Sequence, residues 1–217
     1  MTRRPARLVV VTGTGTEVGK TWFASATLAE LRALGVSVAA RKPVQSFEPG
    51  TGATDAEVLA TATGEDPAQV CPPHRSLAVA MAPPMAADAL GAPDFTIAEL
   101  AAELHWPPDT DVGVVEGVGG PRSPLAADGD TVDLVAALDP ELVVLVADAG
   151  LGAVNAVVLA AAPFAGRELV TALNRFDADD DLHNRNRRWL VERAGVAVVT
   201  DPGGLAARVL PRRSVEA

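Results

Sequence analysis

Cysteine and histidine are rare in this sequence, whose 217 residues include a single cysteine, Cys71, and three histidines. A lone cysteine cannot form an internal disulfide, so a reducing compartment suits the chain better than secretion. The scarcity of both residues also argues against a zinc site. A chain of this length needs neither a disulfide nor a structural metal to fold, because it buries about 70% of the surface that its unfolded form exposes.

Positive charge is scarce as well, since 18 lysines and arginines stand against 28 aspartates and glutamates and the net charge is −10. Only two of the cationic residues are lysines, Lys20 and Lys42. A protein that binds nucleic acid carries a basic patch that neutralises phosphates. We therefore expect no nucleic-acid partner, and we interpret Arg208, Arg212 and Arg213 as a solvated basic tail.

Long apolar runs are also missing. The first one, Leu8–Val11, is shorter than the roughly 7–15 apolar residues of a signal peptide. The longest weakly polar stretch, Ala149–Gly166, is interrupted by glycines, an asparagine and a proline. A membrane span needs about 20 apolar residues, so we expect no membrane partner and a cytoplasmic location.

Short valine-rich runs alternate along the chain with alanine- and leucine-rich stretches of helical length. Nearly continuous apolar runs are typical of parallel strands that helices cover on both faces. The predicted strands are Leu8–Thr12, Val36–Arg41, Val112–Glu116, Leu142–Ala147, Leu169–Asn174 and Val196–Thr200. The predicted helices are Lys20–Leu34, Thr96–Leu104, Thr131–Leu138, Ala153–Ala162 and Asp180–Ala194. This alternation predicts one α/β domain over residues 1–217, with a doubly wound, mostly parallel sheet.

Two stretches do not fit this alternation. Phe47–Thr54 is predicted to be a polar loop, and the proline-rich stretch Pro67–Pro93 an irregular excursion with one short helix near Met85–Leu90. A loop of that length inside a compact domain is often functional. Gly35 and Gly195 follow two predicted helices, where a left-handed residue is expected.

The strongest motif is GTGTEVGKT, residues 13–21, which lies directly after the first predicted strand and opens a helix. Backbone N–H groups of such a turn converge on phosphate oxygens, and the helix N-terminus adds the positive end of its dipole. Lys20 then reaches the β- and γ-phosphates, and the Thr21 hydroxyl ligates Mg²⁺. Five residues separate Gly13 from Gly19 instead of the usual four. The alternative is a chance Gly-Lys-Thr at a strand–helix turn.

Carboxylates elsewhere in the chain suit a site for Mg²⁺ and a nucleotide, which usually takes one or two of them plus phosphates and water. Glu116 ends a buried strand, where it can reach the crevice at the strand ends. Asp55 precedes a helix, so it is either a metal ligand or an N-terminal capping acid. Asp148 follows another valine run and competes as the metal carboxylate, although it is expected farther from the phosphate turn.

Lys42 ends the second predicted strand and is followed by Pro43, which stiffens the chain. A compact ammonium at that place suits a carbamate or a transferred phosphoryl group. Its alternative is an ordinary solvated surface lysine. Ser46 offers a hydroxyl to the same group or else caps the loop.

The long-spaced phosphate turn resembles that of the dethiobiotin synthetases, and further motifs of that family follow in order. KPVQS, residues 42–46, is similar to the family's Lys-Pro-Val motif, and VEGVGG, residues 115–120, is similar to its Val-Glu-Gly-Ala-Gly-Gly motif. Asp55 and Asn174 stand where the family has a metal-binding aspartate and a base-recognising asparagine. The likeness extends from Leu8 to Asn174, with departures at Phe47 and Ala156.

The resemblance implies a P-loop NTPase fold and an ATP- and Mg²⁺-dependent ligase of biotin biosynthesis. The implied reaction closes a ureido ring on 7,8-diaminononanoate with CO₂, through a carbamate and a carbamic-phosphoric anhydride, and yields dethiobiotin, ADP and phosphate. A homodimer with the substrate at the subunit interface is also implied.

The same resemblance assigns roles to individual residues. The catalytic residues are Lys42, Lys20 and Thr16; the metal ligands are Thr21, Asp55 and Glu116; the substrate contacts are Ser46, Thr16 and Glu17. The nucleotide contacts are Glu17, Val18, Gly19, Lys20, Thr21, Trp22, Asp55, Glu116, Gly117, Val118, Gly119, Asn174 and Arg175. Apart from the resemblance, we interpret Trp22, Trp106 and Trp189 as core or interface residues.

Two other functions are compatible with a phosphate turn on this fold. One is a related ligase acting on another substrate, such as a cobyrinate-type amidase, which usually carries a glutamine-hydrolysing domain and a cysteine nucleophile. The other is a partition-type ATPase switch, a class that tends to carry an additional lysine early in the turn. Here Thr14 and Gly15 occupy those early positions.

Overall fold

Strands and helices alternate along the computed structural model, which describes residues 4–210. The strands are β1 (Arg7–Gly13), β2 (Val38–Arg41), β3 (Gln45–Ser46), β4 (Ser76–Leu77), β5 (Val112–Glu116), β6 (Pro124–Ala126), β7 (Gly129–Asp130), β8 (Leu142–Asp148), β9 (Leu169–Asn174) and β10 (Val198–Val199). The α-helices are α1 (Lys20–Ala33), α2 (Asp55–Thr63), α3 (Pro67–Val70), α4 (Pro83–Ala89), α5 (Ile97–Ala102), α6 (Thr131–Leu138), α7 (Ala153–Ala161), α8 (Asp181–Glu192) and α9 (Pro202–Val209). Arg212 and Arg213 of the predicted basic tail lie outside the described residues.

The six predicted strands form one sheet in the order β10-β9-β8-β1-β5-β2, and every neighbouring pair is parallel. β1 lies near the centre of the sheet, between β5 and β8. β2 and β5 lie on one side of β1, whereas β8, β9 and β10 lie on the other, so the strand order reverses direction at β1. In sheets of this kind, ligands bind outside the carboxyl ends of the strands at that reversal. The turn after Gly13 opens at this point.

Alternate residues of the strands face opposite sides of the sheet, as the two-residue period of a strand requires. Val9 and Val11 of β1 pack in one cluster with buried residues of α1, α2 and α9. Leu8 and Val10 pack on the other face with residues of α4, α5 and α6. A further cluster joins β8 and β9 to α7 and α8. The predicted doubly wound α/β fold with helices on both faces is therefore confirmed.

Within Pro67–Pro93, α4 confirms the one short helix predicted near Met85–Leu90, whereas α3 and a 3₁₀ turn make the stretch more regular than predicted. α3 begins at Pro67, α4 at Pro83 and the unpredicted helix α9 at Pro202. Proline is tolerated in the first turn of a helix, where its missing N–H has no intrahelical partner and its fixed φ suits the helix. These prolines therefore start helices rather than interrupt them.

Two smaller features confirm predictions made from the sequence. Phe47–Thr54 is a loop, and Gly35 and Gly195 take positive φ angles of 78° and 65° after α1 and α8. Two short pairs, parallel β3–β4 and antiparallel β6–β7, lie outside the main sheet. Over the described range 4–210, no helix is both long and apolar enough to cross a membrane.

Candidate active site

The phosphate turn joins the end of β1 to the start of α1 and is held by contacts from β9. Gly19 precedes the helix with φ 89°, and Glu17 has φ 60°. Asn174 donates from Nδ2 to the Val18 carbonyl at 3.0 Å, and Arg175 donates to the Glu17 carbonyl at 3.0 Å. Left-handed backbone at a non-glycine residue persists only where neighbours stabilise it, and Arg175 supplies that support to Glu17.

Lys20 lies beneath the turn and is only 7% exposed. Its Nζ donates to the Gly15 carbonyl at 3.0 Å. Burial and, secondarily, the nearby charge of Lys42 hold the pKa of Lys20 below its ordinary value. An anion in the turn would relieve both effects, so the arrangement favours a phosphate beside Lys20.

Four polar side chains meet next to the turn, and we call them the lysine–carboxylate cluster: Thr21, Lys42, Asp55 and Glu116. The Thr21 hydroxyl lies 2.8 Å from Asp55 Oδ1 and 2.9 Å from Glu116 Oε1. Lys42 Nζ lies 2.7 Å from Asp55 Oδ2 and 2.7 Å from Glu116 Oε1. It also donates to the Gly117 carbonyl at 2.9 Å.

Strand register brings this cluster together. Glu116 of β5 is opposite Val11 of β1, two residues before the turn begins at Gly13. Arg41 of β2 is opposite Val115 of β5. The residue after Arg41 therefore emerges beside Glu116, and that residue is Lys42. Parallel strands that end at one edge thus deliver a lysine and a glutamate from distant parts of the chain.

Burial and charge oppose each other in the cluster. Burial alone would lower the pKa of Lys42, but the two carboxylates in contact with it outweigh burial and raise that pKa above its ordinary value. Burial likewise disfavours ionised Asp55, yet the Lys42 ammonium holds its pKa below the usual range. Glu116 has no exposed side-chain surface, and burial raises its pKa while Lys42 counteracts part of that effect. Lys42 is therefore protonated, and its burial excludes the alternative of a solvated surface lysine.

A cavity of about 980 Å³ opens above the turn and the cluster. Its lining includes ten of the predicted site residues: Thr16, Glu17, Gly19, Lys20, Thr21, Lys42, Ser46, Asp55, Val118 and Gly119. One wall is largely apolar, with Phe47, Ala80, Met81, Ala82 and Pro83. The cavity therefore pairs a charged floor with an apolar wall, as small-molecule sites often do.

The other predicted site residues lie around this cavity without lining it. Glu116 is buried, and the carbonyl of Gly117 accepts from Lys42. Val18, Asn174 and Arg175 belong to the contacts that hold the turn from the β9 side.

Trp22 and Asp148 lie apart from the cluster. Trp22 is 55% exposed, and its ring meets the edge of Phe23, so it is not a core residue. Trp189 is 56% exposed as well. Asp148 contacts Arg175 at 2.7 Å on the β8 side of the turn and takes no part in the cluster.

Several residues at the site were not singled out from the sequence. The Met81 carbonyl accepts from the Ser46 hydroxyl, and the Ser123 hydroxyl accepts the Gly120 N–H at 2.9 Å. Gln45, inside the KPVQS motif, bonds the first turn of α2. The motif itself could have drawn attention to Gln45, whereas Met81 and Ser123 carry no sequence signal of their own.

The comparisons with known proteins concern the fold and the family of this chain. A family model described as an AAA domain matches residues 7–200. Among solved structures, the signal recognition particle receptor FtsY from Elizabethkingia anophelis superposes with a TM-score of 0.53 at 14% identity, over 90% of this chain and 58% of that one. The same receptor with GDP gives a TM-score of 0.51 over 98% of this chain and 66% of that one. At this identity the likeness concerns the fold alone.

Closer relatives come from curated sequences. The ATP-dependent dethiobiotin synthetase BioD of Haloferax mediterranei is 39% identical over 198 residues, which cover 88% of this chain and 82% of that protein. The enzyme of the same name from Anaeromyxobacter dehalogenans is 38% identical over 180 residues, which cover 81% and 79% of the two chains. Similarity at this level over most of both lengths establishes membership, and the chain belongs to the ATP-dependent dethiobiotin synthetase family.

Proposed function

We propose that this protein is a dethiobiotin synthetase that uses ATP and Mg²⁺ to close a ureido ring on 7,8-diaminononanoate with CO₂. The observation that carries the proposal is the lysine–carboxylate cluster, which lies against the phosphate turn at the floor of one cavity. A nucleotide phosphate bound in the turn and a small acceptor in the cavity would meet at Lys42. A cytoplasmic location accords with the unpaired thiol of Cys71.

The donor set of the cluster fits Mg²⁺ bound with a nucleotide. Thr21, Asp55 and Glu116 converge hard oxygen atoms within 2.9 Å of the Thr21 hydroxyl, and Mg²⁺ prefers such ligands together with phosphate oxygens and water. Glu116 Oε2 is buried and has no hydrogen-bond partner. An orphaned carboxylate oxygen at this place suits a cation or a water bound to it. When bound there, Mg²⁺ would neutralise charge on the β- and γ-phosphates.

The proposed chemistry takes three steps. One amine of the substrate adds to CO₂ and loses a proton, giving a carbamate. A carbamate oxygen attacks the γ-phosphorus of ATP, so the bond to ADP breaks and a carbamic-phosphoric anhydride forms. The second amine then attacks the carbamoyl carbon and loses a proton, the bond from that carbon to the phosphate oxygen breaks, inorganic phosphate leaves, and the ring closes.

Phosphoryl transfer needs positioning and charge stabilisation rather than a protein nucleophile. Lys20, under the turn, would stabilise charge on the transferred phosphoryl group. Lys42 lines the same cavity as the turn and the apolar wall, so its ammonium would serve the carbamate oxygens and the same phosphoryl group. Thr16, Glu17 and Ser46 line the cavity and would orient the two amines.

The apolar wall gives the substrate's hydrocarbon chain a place to lie. Phe47, Met81 and Pro83 form part of it, and burying methylene groups contributes about 0.8 kcal/mol each. The adenine base would extend the other way, past Asn174 and Arg175, with Trp22 at the outer side of α1. Val118 and Gly119 would contact the phosphates from the β5 side.

We also infer a homodimer. Leu151, between Gly150 and Gly152, is 94% exposed, and Leu159 of α7 is 66% exposed. Large exposed apolar side chains are candidate contacts for a protein partner, and the family resemblance implies that a second copy would complete the site for the substrate carboxylate.

The test of the proposed function is phosphate release from ATP with and without diaminononanoate and bicarbonate, with the product identified by mass spectrometry. We expect release that depends on both substrates and on Mg²⁺, and formation of dethiobiotin. Lys20→Ala is the matched inactive control. Hydrolysis that ignores the diamine would favour the partition-type switch. Ligation of another acceptor would favour a related ligase, although burial raises the pKa of Cys71 to about 12, which disfavours a thiolate nucleophile for glutamine hydrolysis.

A further inference from the structure

The side chain of Gln45 joins the two chain segments that carry Lys42 and Asp55. Its Oε1 accepts the Ala56 N–H at 3.0 Å, and its Nε2 donates to Ser76 Oγ at 2.8 Å. Gln45 is 4% exposed, so water is poorly placed to replace either hydrogen bond. Ser76 is also the residue opposite Gln45 in the β3–β4 pair, which fixes the amide from its other end.

The first turn of α2 shows why this contact matters. Thr54 and Glu57 form a reciprocal capping box, in which each side chain accepts the other's backbone N–H. Both residues belong to the start of the helix, so the box determines where α2 begins but not where it lies against the sheet. The N–H of Ala56, between them, is bound from β3, three residues after Lys42 in the chain.

Asp55 lies between the capping residue Thr54 and Ala56, at the first position of α2. Its carboxylate faces Lys42 and Thr21, whereas Glu116 is fixed separately at the end of β5. Movement of the first turn of α2 would therefore change the spacing of the two carboxylates. Residues that orient metal ligands without touching the metal typically alter metal affinity by about 10–100-fold when mutated.

We propose that Gln45 is a positioning residue that holds the Asp55 carboxylate at the correct distance from Glu116 for a divalent cation. It acts through the backbone of Ala56 and does not itself line the cavity. This inference rests on the proposed function, because it requires Asp55 and Glu116 to bind Mg²⁺ together with a nucleotide.

The test measures binding rather than turnover. The Kd of a fluorescent, non-hydrolysable ATP analogue is determined with Mg²⁺ and with EDTA, and the ratio of the two values reports how strongly cation and nucleotide reinforce each other. In Gln45→Met we expect this ratio to fall about tenfold. The Kd in EDTA should change less than twofold, because the phosphate turn is intact.

Two further variants separate positioning from loss of stability. Ser76→Ala keeps the bond from Gln45 to Ala56 and frees only the other end of the amide, so the ratio should fall less, by about threefold. Asp128→Ala is the matched control, because Asp128 Oδ1 accepts the Ile97 N–H at 2.8 Å in the first turn of α5. Its loss should lower stability and leave the ratio unchanged.

The outcomes are distinguishable. A folded Gln45→Met protein with a ratio within twofold of wild type would overturn the role of Gln45. If that variant does not fold, an unchanged ratio in Ser76→Ala overturns it instead. A wild-type ratio of one would overturn the proposed use of Mg²⁺ and the role of Gln45 together. If the wild-type ratio is large and the Gln45→Met and Ser76→Ala variants have the same ratio, the role of Gln45 is overturned and the proposed use of Mg²⁺ stands.

Discussion

The ammonium nitrogen of Lys42 lies 2.7 Å from Oε1 of Glu116, and neither side chain has more than 2% of its surface exposed. A buried pair of this kind is costly to break, because the remaining charge has no solvent around it. The register of β2 and β5 brings Lys42 beside Glu116, and Thr21 of the phosphate turn donates to the same glutamate oxygen. Lys42 therefore contributes to the stability of the site and, in the proposed function, to the chemistry.

Lys42→Met should lower the free energy of unfolding by about 3 kcal/mol, because Glu116 is left as an unpaired buried charge. The double variant Lys42→Met/Glu116→Gln should recover most of this loss, since it removes both charges. Urea unfolding at pH 7 without nucleotide measures these free energies, and their non-additivity gives the coupling between Lys42 and Glu116. Equal stability of Lys42→Met and wild type would contradict the buried pair.

The kinetic prediction for the same residue is separate. At a temperature where the variants are folded, Lys42→Ala should depress kcat while nucleotide affinity by calorimetry stays nearly unchanged, because the interaction strengthens in the transition state. Lys42→Gln should do little better, since a neutral amide cannot offset charge on the phosphoryl oxygens. Unchanged kcat in Lys42→Ala would favour the nucleotide switch over the ligase.

Lys20→Ala and Thr21→Val should each lower kcat by about 10²–10³-fold, the usual cost of one preorganised group that stabilises transition-state charge. Both residues lie at the start of α1, and neither belongs to the hydrophobic core clusters. Circular dichroism should show an unchanged fold, while phosphate release should be nearly lost. Wild-type activity in both variants would exclude the phosphate turn as the nucleotide site.

Much of this architecture could be predicted because the strands are almost continuous apolar runs. The end of Val112–Glu116 at its carboxylate coincides with the end of β5. The helices that begin at Pro67 and Pro202 were not predicted, and the helix predicted near Met85–Leu90 begins earlier than expected, at Pro83. A proline signals a break unless it occupies the first turn of a helix, and only tertiary packing decides which applies.

The contacts inside the site were harder to predict. Sequence spacing places Lys42 at a strand end but does not reveal that β2 pairs with β5 rather than β1, and this pairing is what buries Lys42 beside Glu116. Asn174 was assigned to the base by resemblance, whereas its amide also bonds the Val18 carbonyl. A contact across 156 residues depends on the whole sheet order.

Leu151→Asp should convert the inferred dimer into monomers. Leu151 is held on a fixed loop, because Asn186 of α8 donates to the carbonyls of Ala149 and Gly150. Replacing an apolar contact worth about 1.5–3 kcal/mol should raise the dimer Kd at least about tenfold. Leu34→Asp, at a position 64% exposed after α1, is the matched control. A wild-type protein that is monomeric by light scattering at a concentration where it is fully active would contradict the dimer.

Cys71 should react slowly with a disulfide reagent at pH 8.5 in the native protein. Burial raises the pKa of its thiol to about 12, so the proton leaves only at much higher pH than in the unfolded chain, and the thiolate is the reactive form. In guanidinium chloride at the same pH the thiol should react at once. Equal rates in the two conditions would show that Cys71 is accessible and ionised.

Gly19 and Gly15 provide a matched pair inside the phosphate turn. Gly19 has φ 89°, and a Cβ added there would come 2.0 Å from Asn174 Nδ2, whereas a Cβ on Gly15 would meet nothing within 4 Å. Gly19→Ala should therefore lower the free energy of unfolding by about 1–3 kcal/mol, through left-handed strain and displacement of Asn174.

Gly15→Ala should stay within about 0.5 kcal/mol of wild type. Gly19→Ala should also weaken nucleotide binding, because the turn loses the bond from Asn174 to the Val18 carbonyl. The double variant Gly19→Ala/Asn174→Ala removes the close contact with the Asn174 side chain but keeps the left-handed strain at residue 19. Its loss of unfolding free energy should therefore be smaller than the sum of the losses in the two single variants. Urea unfolding and nucleotide titration measure both effects. If Gly19→Ala is as stable as Gly15→Ala, then Asn174 does not anchor the turn in the way the structure indicates.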